Sequence, residues 1–110
     1  MKTLHYTLKK KFFDMSINPN IDLRKNEEYR AITPFWIKRL TNGKFNDGGY
    51  IFKEFDTVTA WNGGYCGGNL PNFVREFKGI RIGKARPEWS DNWQGEVFII
   101  KLGDIISSTI

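Results

Sequence analysis

The stretch Phe73-Val74-Arg75-Glu76-Phe77-Lys78-Gly79-Ile80-Arg81-Ile82 decides the fold. Its apolar residues Phe73, Phe77, Ile80 and Ile82 follow the period of two of a half-buried strand, but the parity changes across Lys78-Gly79. A β-bulge produces such a change, and glycine takes the bulge conformation without steric penalty. Bulges bend strands, and bent strands let a sheet curl towards a barrel.

Towards the C-terminus, residues 83 to 95 read as a loop carrying Pro87, Glu88, Trp89 and Trp93, and the nearly continuous apolar run from Val97 to Leu102 reads as a central strand. Towards the N-terminus, Asn62-Gly63-Gly64 and Gly67-Gly68-Asn69 supply turn chemistry around Tyr65-Cys66, and Phe55 to Trp61 is a strand rich in β-formers. Residues 42 to 54 hold Gly43, Gly48 and Gly49 among polar residues and read as a long loop, mobile at Asp47-Gly48-Gly49. Thr33-Pro34 predicts an N-cap followed by proline at the first helical position, opening a helix with Trp36, Ile37 and Leu40 on one face and Gly43 near its C-terminal cap.

Arg24 to Ile32 is dense in charge and sits at a loop-to-strand junction. Phe12, Phe13, Met15 and Ile17 fall at spacings of a short amphipathic helix over about residues 10 to 17, ended by Pro19. Leu4, Tyr6 and Leu8 alternate with polar neighbours in an opening strand over residues 3 to 8. About five strands with two short helices and glycine-rich connections make an α+β fold, a small curled β-barrel rather than a helical bundle.

At 110 residues the chain is one domain, residues 1 to 110, with room for one core. No apolar run approaches the roughly 20 residues needed to span a bilayer, and Met1 to His5 lacks the hydrophobic stretch of a signal peptide, which predicts a cytoplasmic protein with no membrane partner. One cysteine, Cys66, and one histidine, His5, give no cluster of soft ligands, so no metal site and no cofactor are expected. Lys and Arg number 17 against 12 Asp and Glu, a net charge of +5 that attracts polyanions or serves solubility alone.

Leu23-Arg24-Lys25-Asn26-Glu27-Glu28-Tyr29-Arg30 resembles the signature Gly-x-Lys-x-x-Glu-x-Arg of the ASCH family, with Leu23 in place of the leading glycine. The likeness extends to Phe12-Phe13-Asp14-Met15, Arg30-Ala31-Ile32-Thr33-Pro34-Phe35-Trp36, Glu76-Phe77-Lys78-Gly79-Ile80 and Pro87-Glu88-Trp89, and is similar to a compact subgroup associated with phages and prophages. The resemblance implies a PUA-like curled β-barrel with the signature at the mouth of a cleft. It further implies a partner that is RNA, a modified nucleoside or another nucleic acid. Some members hydrolyse the acetyl group of acetylated cytidine with a lysine, a threonine and a glutamate, and ribonuclease activity is known in the family. Lys25 matches that lysine, the threonine falls at Glu28, and Glu88 lies in a comparable late loop.

The residues themselves leave alternatives open. Lys25 can hold a phosphate or base carbonyl, act as a base if desolvated, or be a solvated surface lysine; a carboxylate at Glu28 favours its charged form. Glu28 and Arg30 would share a face of a strand and pair, or Arg30 can fork onto a phosphate. Trp61, Tyr65, Trp89 and Trp93 lie in or beside glycine-rich loops, where they either stack on a base or pack in the core. Arg75, Lys78, Arg81, Lys84 and Arg86 cluster around one strand as a phosphate track or an evenly solvated surface. Three functions compete: a nucleic-acid or modified-nucleotide binding module using Lys25, Arg30 and an aromatic; a hydrolase using Lys25 with Glu28 or Glu88; and an interaction protein that inhibits a host nucleic-acid enzyme or defence system through its charged surface and the 42 to 54 loop.

Overall fold

The strand that changes parity in sequence changes register in space. The computed structural model describes residues 2–44, 48–64, 66 and 69–109. The chain runs through β1 (Thr3–Leu8), α1 (Lys10–Ser16), β2 (Glu27–Arg30), α2 (Pro34–Leu40), β3 (Thr41–Lys44), β4 (Tyr50–Phe52), β5 (Thr57–Asn62), β6 (Asn72–Lys84), a 3-10 turn at Pro87–Trp89, and β7 (Glu96–Ser108). Between Phe77 and Ile80 the β6–β7 ladder shifts, and Gly79 sits there at φ +118°, a conformation that favours glycine.

Five strands form one curled mixed sheet, a half-barrel in the order β1-β5-β6-β7-β2, with β1 and β5 parallel and the other pairs antiparallel. The apolar run at Val97 to Leu102 lies in β7, flanked by β6 and β2, as a central strand should. Leu4, Tyr6 and Leu8 of β1, Val58 and Ala60 of β5, Phe73 of β6 and Phe98, Ile100 and Leu102 of β7 fill the concave face, with Phe13 of α1 and Leu40 of α2 closing it. The Thr33 hydroxyl caps α2 by accepting from Trp36 N.

Three expectations need correction. Residues 42 to 54 are not a plain loop: β3 and β4 form a two-stranded antiparallel sheet. Tyr50 and Phe52, two apart and therefore on one face, pack edge-on against Phe98 at ring-centroid distances of 5.7 and 6.1 Å. The glycines masked that short alternation, and Asp47 of the expected mobile tip lies outside the described residues. Gly43 does not close α2, which ends at Leu40, where the Thr41 hydroxyl donates to Ile37 O at 2.7 Å and the backbone turns extended into β3. Arg75 is no part of a phosphate track, because alternation with Phe73 places it on the concave face, where it is 1% exposed.

Candidate functional site

The half-barrel has an open seam between its two edge strands, β1 and β2. No ladder joins them, and the Arg30 guanidinium spans the gap by donating to Thr7 O at 2.8 Å while its own strand supplies Tyr29 O at 3.0 Å. Two residues back along β1, Arg39 of α2 donates to His5 O at 2.7 Å. Two arginines thus occupy the edge carbonyls of β1 that a neighbouring strand would otherwise take. A cleft of about 750 Å³ opens along this seam, lined by β1, β2, α2 and the segment from Trp89 to Trp93, a size suited to a small-molecule site.

Its floor is built by the charged segment that precedes and enters β2. Lys25 is fully buried, with its ammonium 5.4 Å from the centroids of both Phe12 and Tyr29, and donates to Glu28 Oε1 at 3.1 Å. The same oxygen accepts from Tyr29 N at 2.9 Å and faces Arg30 Nη1 at 3.3 Å. Burial above all, helped by the nearby Arg30 and Arg75, pulls the Lys25 pKa below the ordinary lysine value against the opposing pull of Glu28. The buried position rules out the alternative of a solvated surface lysine, and Glu28 is in contact as the neighbouring carboxylate the sequence suggested.

Arg75 fixes this segment from beneath. Its guanidinium donates to Lys25 O at 2.6 Å, Ser16 O at 3.2 Å, Asn26 Oδ1 at 2.8 Å, and twice to Gly103 O at 2.9 and 2.7 Å. It therefore ties α1, the lysine segment and β7 together. Ahead of the lysine segment, around Leu23, side chains make the turn: Asn18 Oδ1 accepts from Asn20 N, Asn20 Oδ1 from Asp22 N, and Arg24 Nε donates to Asn18 O. Leu23 itself points out, 64% exposed.

Two buried polar atoms at the cleft have no hydrogen-bond partner among the described residues: the Tyr6 hydroxyl and Glu28 Oε2. Both residues line the cleft. Burial, and after it the Glu28 carboxylate, pushes the Tyr6 pKa well above the ordinary phenol value, so the hydroxyl keeps its proton.

Aromatic side chains from separate elements form the walls. Phe12 comes from α1, Trp36 from α2, and Trp89 and the half-exposed Trp93 from the late loop. The Arg30 guanidinium lies 4.8 Å from the Tyr6 ring centroid and 5.1 Å from that of Trp36, and Arg86 lies 4.7 Å from Trp89. Lys9, Lys10 and Arg39 add positive charge to the lining.

Of the residues singled out in the sequence, the structure brings Lys25, Glu28, Arg30 and Trp89 together, with Arg86 stacked on Trp89. Glu28, Arg30 and Trp89 line the cleft, whereas Lys25 lies beneath its floor. Glu88 is exposed on the 3-10 turn and does not line the cleft. Trp61 is half-buried on the other face of β5 from Val58 and Ala60, with its ring 5.5 Å from His5. Arg81 pairs with Glu27 at 2.7 Å, and Lys84 is exposed on β6 away from the cleft. Tyr65 lies outside the described residues. Sequence reasoning missed Tyr6, Phe12 and Trp36 as site residues because each carries the periodicity of a core position.

Among the described residues no group of three or more His, Cys, Asp or Glu side chains comes together to hold a metal ion, and no helix is long and apolar enough to cross a membrane. No family model, curated protein or solved structure matches the chain.

Proposed function

We propose that this protein is an RNA-binding module of the ASCH type that takes one unstacked nucleotide into the seam cleft. The observation that carries the reading is the composition of the cleft: Phe12, Trp36, Trp89 and Trp93 around a space of about 750 Å³, with Lys9, Lys10 and Arg39 among its lining residues. Aromatic faces stack on unpaired bases, and cations take the phosphates that follow. The net charge of +5 adds a long-range attraction for a polyanion.

Binding suits this arrangement better than hydrolysis. A hydrolase of the expected kind needs Lys25 at the substrate together with Glu28 or Glu88; Glu28 lines the cleft, but Lys25 lies under the floor and Glu88 stands outside. Lys25 instead orients Glu28.

Fluorescence anisotropy of labelled single-stranded RNA, duplex RNA and duplex DNA tests the proposal, titrated from about 50 to 200 mM salt, where phosphate contacts weaken markedly. Preferential binding of single-stranded RNA, weakening with salt, is expected. Equal binding of all three polymers, or none at low salt, refutes it.

A further inference from the structure

Two residues that line the cleft each carry a buried polar atom that the protein itself leaves unused. Glu28 is 4% exposed and Tyr6 3% exposed, yet Glu28 Oε2 and the Tyr6 hydroxyl have no hydrogen-bond partner among the described residues. Buried polar groups are nearly always paired, because leaving one unpaired forfeits its hydration without return. Two such orphans in one cleft, on facing edge strands, are a matched request for a ligand. The other carboxylate oxygen, Oε1, is taken by Lys25, Tyr29 N and Arg30, which holds the group in place and leaves one oxygen to accept.

The charges around this floor define what fits it. Lys25 and Arg30 flank the single carboxylate, so the floor has no net negative charge to attract an ammonium ion. Lys9, Lys10 and Arg39 in the lining oppose a cation further. A phosphate at the floor would set its oxygens against Glu28 Oε2, which can only accept. A neutral N–H donor beside an acceptor satisfies both orphans, and a flat heterocycle carrying that pair also matches the aromatic walls.

Resting on the proposed function, we infer that the cleft reads the Watson–Crick edge of a nucleobase, with Glu28 Oε2 accepting from a base N–H and the Tyr6 hydroxyl donating to the adjacent ring nitrogen or carbonyl. The base enters edge first, and ribose and phosphate remain at the mouth with the basic residues. Affinity then depends on an unblocked N–H rather than on stacking and charge alone, and a base alkylated at that nitrogen is rejected because Oε2 stays unpaired.

The experiment uses isothermal titration of the intact protein with the four ribonucleoside 5′-monophosphates. The tightest of them is then compared with its counterpart methylated at the donor nitrogens of the Watson–Crick edge, and with ribose 5-phosphate. Binding of the methylated nucleotide at least about tenfold weaker than the parent, with ribose 5-phosphate weaker still, is expected for loss of one buried hydrogen bond with its partner left unpaired. Tyr6→Phe is the second arm: about tenfold weaker binding together with an unchanged or higher thermal midpoint, since the hydroxyl it removes has no partner in the free protein. A merely structural tyrosine would lower the midpoint instead. Equal affinity for parent and methylated nucleotide, or unchanged affinity in Tyr6→Phe, overturns the edge reading while leaving RNA binding in place. Absence of binding by all four nucleotides and by RNA overturns both.

Discussion

Arg30 Nη2 donates to Thr7 O at 2.8 Å, and this bond joins β2 to β1 across the one gap in the sheet order that no ladder closes. The same guanidinium faces Glu28 and lies against Tyr6 and Trp36, so a single side chain sets the width of the seam. Replacing it by alanine removes a charged hydrogen bond and leaves Glu28 with Lys25 as its only cation. Arg30→Ala is expected to lower the unfolding free energy by about 2–4 kcal/mol, with Arg30→Lys recovering less than half, since an ammonium cannot fork. Urea denaturation of the three proteins checks this.

Lys25 gives a pH dependence of defined sign. Burial holds its folded pKa below the ordinary value of 10.5, so between the two values the unfolded chain binds more protons than the folded one. Stability from this group therefore rises as pH climbs through the folded pKa towards 10.5. Compared with Lys25→Met, the wild-type protein is expected to gain relative stability with alkaline pH, read from paired urea curves. A relative loss would mean that the Glu28 pair outweighs desolvation and holds the lysine charged.

Arg75 and Arg81 lie six residues apart on β6, yet they have opposite importance. Arg75 makes five hydrogen bonds from a buried position, and Arg81 makes one ion pair with its side chain 55% exposed. Arg75→Lys is expected to cost about 3–5 kcal/mol or to prevent folding, because its acceptors stay buried without donors. Arg81→Ala is expected to cost at most about 1 kcal/mol. Thermal unfolding followed by circular dichroism separates the two outcomes.

Gly79 offers a test of the bulge. A Cβ built there meets nothing within 4 Å, so the cost of a side chain is the backbone conformation alone at φ +118°. Gly79→Ala is expected to destabilise by about 1–3 kcal/mol without changing the fold. Unaltered stability would mean that the ladder shifts between Phe77 and Ile80 without this conformation.

Trp89 and Trp61 separate the cleft from the rest of the surface. Only Trp89 lines the cleft, whereas Trp61 stands on the other face of β5 from the core. Trp89→Ala is expected to weaken single-stranded RNA binding by about 1–3 kcal/mol, the worth of one stacked base, and Trp61→Ala to leave it unchanged. Anisotropy titrations of both variants decide it.

Elements whose stability is local were legible in the sequence. Leu4, Tyr6 and Leu8 announce β1 by alternation, Thr33-Pro34 announces α2 by cap chemistry, and the parity change at Lys78-Gly79 announces the bulge, because each depends on neighbours within a few residues. The charged segment at Lys25, Glu28 and Arg30 was legible as a group through its resemblance to a signature. What only the tertiary structure decided is which way those charges face. Lys25 lies beneath the floor and Arg75 in the interior because residues 28 to 59 positions apart enclose one another: Arg75 donates to Gly103 O, Lys25 O and Ser16 O. The unused oxygens of Tyr6 and Glu28 were invisible for the same reason, since a tyrosine with core periodicity and a glutamate beside a lysine carry no local mark of an unmet hydrogen bond. Periodicity records the face a residue takes on its own strand, and the seam arises where two edge strands, distant in sequence, fail to pair.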